Sequence, residues 1–108
     1  MGREWVFSGT GTSINTLIGG AGAGTFNVTA ANSTNTITGG SSGLDAITVS
    51  AGLNTITGGS GVTSITAGGG TNTITGGVGV DTINLNSGNN TVLGGAGKDI
   101  INILGVQT

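Results

Sequence analysis

Cysteine, histidine, proline and tyrosine are all missing from this 108-residue chain. Without cysteine there are no disulfides and no thiolate metal ligands, and the redox compartment leaves no mark. Without histidine the commonest general base and metal ligand is gone. Charge is scarce: Arg3, Glu4, Asp45, Asp81, Lys98 and Asp99 are the only charged side chains, for a net charge of −2. That balance gives no electrostatic footprint for nucleic acid or acidic lipid. No apolar run approaches the roughly 20 residues needed to span a bilayer. No N-terminal signal peptide is visible, because Trp5-Val6-Phe7 is too short for its apolar centre.

What the chain does have is repetition. Gly, Thr and Asn supply 55 of the 108 residues. Such a composition suits a flexible low-complexity chain, but the apolar residues sit at fixed places. Residues 58–75 read GGSGVTSITAGGGTNTIT and residues 76–93 read GGVGVDTINLNSGNNTVL. The two lines match almost position for position, and a fixed period decides the fold before any local reading. Upstream, residues 39–57 form a line one residue longer and residues 19–38 a line two residues longer; residues 94–108 begin another.

Each line holds two segments in which apolar and polar residues alternate. One contains Phe26/Val28, Ile47/Val49, Ile65/Ala67, Ile83/Leu85 and Ile101/Ile103; the other contains Leu17, Ile37, Ile56, Ile74 and Val92. Period two with β-branched residues is a strand signal, and no window has helical spacing. Glycine-rich turns separate the strands. The expectation is an all-β parallel β-solenoid with about 18 residues and two short strands per coil. Roughly five and a half coils stacked about 4.8 Å apart would make a rod about 25 Å long. The chain reads as one domain: residues 1–8 an apolar plug or end strand, 9–104 the repeat coils, 105–108 a tail.

Residues 76–84 (GGVGVDTIN) and 94–102 (GGAGKDIIN) resemble the nonapeptide GGxGxDxΦx of RTX (repeats-in-toxin) parallel β-rolls. Residues 58–66 match except that Thr63 replaces the aspartate, and residues 39–48 carry Asp45 with one inserted residue. The resemblance implies Ca²⁺ in the turns, held by carbonyl oxygens and aspartates. Carried over residue by residue, it leaves Asp81 and Asp99 as the candidate metal ligands, with carbonyls near Gly77 and Gly79 as helpers. The plainer alternative is a solvated turn carboxylate beside Lys98. The other half of each coil carries Asn15, Asn35, Asn54, Asn72 and Asn90, a neutral column whose amides can donate and accept along its length without a cation. The expectation is therefore a roll with no required cofactor that can take Ca²⁺ on one edge.

With isoleucine inward, its neighbours point outward. One outer face then carries Thr36/Thr38, Thr55/Thr57 and Thr73/Thr75, interrupted by Ile18 and Leu93. This array resembles the ice-binding face of antifreeze β-solenoids; threonine is also an ordinary exposed strand residue. At the ends no cap is evident, and an open coil is an edge strand free to pair. Trp5, Val6 and Phe7 at one end and Ile101, Ile103 and Leu104 at the other are the candidate end contacts. With so few catalytic side chains the protein is expected not to be an enzyme. The leading expectation is a structural subunit that stacks end to end on copies of itself into an extracellular fibre or matrix. It would have no nucleic-acid partner and no membrane span. A calcium-binding module of a secreted protein and an ice-binding solenoid are the alternatives. The extracellular or cell-surface placement follows from the resemblance.

Overall fold

A computed structural model of the chain describes residues 4–9, 14–20, 25–30 and 32–108, with 4–9 and 25–30 described by their backbone. Eleven strands follow one another: β1 (Glu4–Gly9), β2 (Ile14–Ile18), β3 (Thr25–Ala30), β4 (Ser33–Thr38), β5 (Leu44–Val49), β6 (Gly52–Thr57), β7 (Val62–Ala67), β8 (Thr71–Thr75), β9 (Thr82–Leu85), β10 (Asn89–Leu93) and β11 (Ile100–Ile103). Odd-numbered strands form a six-stranded sheet in the order β1-β3-β5-β7-β9-β11, and even-numbered strands a five-stranded sheet, β2-β4-β6-β8-β10. Every pairing is parallel. Among the described residues there is no helix. The protein is a parallel β-solenoid.

Alternation decides which residues go inside. Ile56 pairs with Ile74, and Ile47, Ile65 and Ile83 pair in succession across β5, β7 and β9. Ile37, Ile56 and Ile74 from one sheet face Ile47, Ile65, Ile83, Val49, Ala67 and Leu85 from the other, and all nine are buried. Leu17 and Val92 close the seam where coils are fewer. Burying such a side chain contributes about 1.5–3 kcal/mol.

Coil length is not constant. Successive ladder asparagines are 20, 19, 18 and 18 residues apart from Asn15 to Asn90. The strands stay in register throughout, so the extra residues of the first coils are taken up between strands. At the other end, residues 106–108 lie parallel beside Gly88, just ahead of β10. Gln107 bridges to Gly88, Gly88 N donates to Val106 O (3.2 Å) and Thr108 N donates to Gly88 O (2.8 Å). The expected tail is thus the start of a further coil. The backbone of Trp5, Val6 and Phe7 lies in β1; their side chains lie outside the described residues.

Candidate metal centre

Two kinds of turn join the sheets. Turns from the five-stranded sheet to the six-stranded one open with Gly-Gly; residues 76–81 and 94–99 carry the full Gly-Gly-x-Gly-x-Asp pattern, residues 58–63 have Thr63 in place of the aspartate, and residues 39–45 reach Asp45 with one inserted residue. Turns in the other sense are shorter. Stacking demands glycine where the chain of one coil crosses that of the next. Gly77 has φ 109°, and a Cβ there would stand 2.0 Å from the carbonyl oxygen of Gly59. That position excludes other residues twice over, by backbone conformation and by contact.

The register sets the aspartates in one column. Asp45 pairs with Thr63 across β5 and β7. Asp81 and Asp99 each precede a pair in the same register, so the column continues Asp45, Thr63, Asp81, Asp99. Two of the carboxylates reach back to the backbone of the preceding coil. Thr63 N donates to Asp81 Oδ1 at 3.0 Å and Asp81 N donates to Asp99 Oδ1 at 3.1 Å. Asp45 Oδ2 accepts from Gly40 N at 2.9 Å, within its own turn. Thr63 behaves differently: its hydroxyl donates to Gly58 O at 2.9 Å, so the position is neutral and self-satisfied.

Asp81 is the centre of this edge. It is 0 % exposed, and its Oδ2 is buried with no hydrogen-bond partner. The solvated-carboxylate reading therefore does not hold for Asp81, because the coils on either side cover it. Burial chiefly raises its carboxyl above the usual range and the nearby Asp99 charge adds to this, while the hydrogen bond from the Thr63 N–H opposes both. Asp45 is raised as well, first by burial and then by Asp81, against the lowering effect of the Gly40 N–H.

These residues fit a hard cation. The unpaired Asp81 Oδ2 lies 2.9 Å from the point where a Gly76 Cβ would stand, and Gly94 O lies 2.3 Å from that same point. A side chain at residue 76 would fill this cradle. Asp99 Oδ2 lies in the same relation to Gly94, at 2.9 Å. Ca²⁺ takes six to eight oxygen ligands, carboxylate and carbonyl alike. Among the described residues no three acidic side chains cluster, so turn carbonyls would make up most of the set. Asp81 and Asp99 stand together; Asp45 is set apart by Thr63.

The opposite edge needs no ion. Asn15 Nδ2 donates to Asn35 Oδ1 (2.8 Å), Asn35 to Asn54 (2.7 Å), Asn54 to Asn72 (2.8 Å) and Asn72 to Asn90 (2.7 Å). Asn90 Nδ2 then donates to Gln107 Oε1, which ends the chain of amides. Sequence reasoning missed Gln107, because it comes 17 residues after Asn90 and breaks the period; its amide was the available signal. Asn35, Asn54 and Asn72 are buried.

On the outer face of the five-stranded sheet, Thr36, Thr55 and Thr73 pair in one row and Thr38, Thr57 and Thr75 in the next. Ile18 and Leu93 end the second row, and both are exposed. Ile101, Ile103 and Leu104 are exposed at the C-terminal end. Searches of curated proteins and of solved structures each gave no match. The profile of the RTX calcium-binding nonapeptide repeat, four copies long, matches residues 39–74 and again residues 66–101. Those matches span more than half of the sequence and include the whole aspartate column, and the chain belongs to the RTX calcium-binding nonapeptide repeat family.

Proposed function

We propose that this chain is a non-catalytic calcium-binding β-roll module that takes Ca²⁺ at the Asp81/Asp99 edge. The observation that carries the reading is the buried, partnerless Asp81 Oδ2. An unsatisfied buried polar atom costs about 1–3 kcal/mol, and more when charged. A divalent cation removes that cost and the repulsion from Asp99 together. Asp81 and Asp99 would supply the carboxylates, and the stacked turn carbonyls the remaining oxygens. The Asn column keeps the other edge folded with no ion. A secreted setting suits such a site, because calcium modules that work outside cells bind with Kd on the order of 10⁻⁴–10⁻³ M. No helix among the described residues is long and apolar enough to cross a membrane.

A structural, self-associating role is a second reading, favoured by the exposed Ile18 and Leu93 on the outer face of the five-stranded sheet. The calcium reading has more support, since family and site geometry point the same way. Isothermal titration with Ca²⁺ tests it. Binding is expected for the native chain, none for Asp81→Asn, and a higher stoichiometry for Thr63→Asp, which closes the gap in the aspartate column. Absence of Ca²⁺ binding by the native chain at millimolar concentration would rule the reading out.

A further inference from the structure

We infer that the Thr63 hydroxyl does for its own turn what a cation would do for the next one. Thr63 then sets how far calcium acts along the aspartate edge. Turns 39–45 and 58–63 stand closed without the ion, and turn 76–81 closes only with it. The inference rests on the calcium reading of Asp81 and adds where the ion acts and what limits its reach.

The same cradle recurs in three successive coils. The point where a Cβ of Gly39 would stand lies 2.7 Å from Asp45 Oδ2 and close to Gly58 O. For Gly58 the corresponding atoms are Thr63 Oγ1, at 2.9 Å, and Gly76 O. For Gly76 they are Asp81 Oδ2, at 2.9 Å, and Gly94 O. Each turn thus aims the side chain at its end back at the glycine that opens it.

What that side chain can do there differs. The Thr63 hydroxyl donates to Gly58 O at 2.9 Å and ties the last residue of turn 58–63 to the first. In turn 39–45 the tie runs in the opposite sense, since Gly40 N donates to Asp45 Oδ2 at 2.9 Å. Turn 76–81 has neither. Asp81 Oδ1 accepts from Thr63 N of the preceding coil, and Oδ2 has no partner. An ionised carboxylate only accepts, so Asp81 sets an acceptor where Thr63 sets a donor. A cation, or a hydroxyl in its place, satisfies Asp81's side of the cradle and the carbonyls together. Asp81 Oδ2 is the one buried side-chain oxygen or nitrogen without a partner among the described residues.

The difference governs local opening, which follows the contacts that close each segment. Val78 N donates to Gly59 O at 3.0 Å and lays turn 76–81 on turn 58–63. Ser60 N donates to Gly40 O at 3.3 Å and lays turn 58–63 on turn 39–45. Judged by these backbone bonds alone, turn 76–81 would be the tighter. Its missing internal tie, and Asp99 next in the column, reverse that order in the ion-free chain. The amide column on the opposite edge keeps the coils in register meanwhile.

Amide hydrogen exchange of the full chain by NMR, in chelator and in millimolar Ca²⁺, tests this, with calorimetry to record binding. In chelator, Val78 should exchange about fivefold faster than Ser60 after correction for intrinsic rates, as the loss of one hydrogen bond allows. Calcium should slow Val78 by a similar factor. It should leave unchanged Ser60 and, on the other edge, Asn86, whose N–H donates to Ala67 O. Asp81→Thr supplies the missing hydroxyl, so Val78 should be protected in chelator and indifferent to calcium. Thr63→Asp should make Ser60 respond to calcium. Thr63→Val keeps the shape without the hydroxyl and should speed Ser60 in both conditions, with circular dichroism to confirm that each variant keeps its fold. Calcium binding in the calorimeter with Val78 unchanged overturns this inference and leaves the calcium reading standing, whereas no binding removes both. Equal protection of Val78 and Ser60 in chelator, or an Asp81→Thr chain that leaves Val78 unprotected, overturns the inference whether or not calcium binds.

Discussion

Asp81→Asn should make the roll more stable without calcium and less stable with it. Asparagine has the shape of aspartate and keeps the acceptor that Thr63 N now uses. Its amide nitrogen takes the place of the unpaired Oδ2 and is a donor, facing a cradle that already holds Gly94 O. Removing the orphaned buried oxygen is worth about 1–3 kcal/mol, and the repulsion from Asp99 goes with it. In excess chelator the variant should therefore unfold later than the native chain. One kcal/mol corresponds to about 4–8 °C in Tm for a domain near this size. In calcium the order reverses. The native chain gains RT ln(1 + [Ca²⁺]/Kd), which reaches about 4.1 kcal/mol at a thousandfold excess over Kd and so exceeds the variant's advantage, and the variant gains little. Thermal unfolding followed by circular dichroism, with and without chelator, gives four midpoints. The reasoning fails if the variant is the less stable chain in chelator, or if calcium raises both midpoints equally.

Two further outcomes follow from the two edges. Asp45 and Asp81 hold their protons in the folded roll to a higher pH than in the unfolded chain, whose carboxyls titrate near the ordinary 3.8. Between that value and the raised folded value the native state binds more protons, so these groups make stability fall as pH rises. Denaturant midpoints of the metal-free chain should thus drop as pH climbs upward from about 4, and saturating calcium at neutral pH should recover the loss. On the other edge, Asn54→Ala leaves a buried donor on Asn35 and a buried acceptor on Asn72. At about 1–3 kcal/mol for each orphan, a destabilisation of about 2–6 kcal/mol is expected by urea unfolding. It should be the same with and without calcium.

The solenoid could be read from the sequence because one number, 18, fixes coil length, inward face and strand order together. Ile56 and Ile74 recur at that distance and pair directly. The aspartate edge was legible as chemistry but not as environment. A carboxylate next to Lys98 and flanked by glycines reads as a wet turn. Asp81 is dry because neighbouring coils lie on both sides of it, and contact between residues 18 apart has no local signature. Thr63 illustrates the same limit. As a letter it is a gap in a motif, whereas in the fold its hydroxyl satisfies Gly58 O and makes the gap neutral. Gln107 fell outside the pattern because the last half-coil is one residue short, and its longer side chain reaches the ladder from there.

The even spacing of Asn54, Asn72 and Asn90 constrains how such a gene can change length. Excising residues 58–75 would remove one whole winding, rejoin every row of side chains and seat Asp45 directly beside Asp81. A cut of ten residues at the same place would turn isoleucines to the water and amides to the wrong edge. Descendants of this sequence can therefore grow or shrink only by complete windings, or by odd residues hidden in a bend, and each winding lost or gained redraws which acidic groups are neighbours.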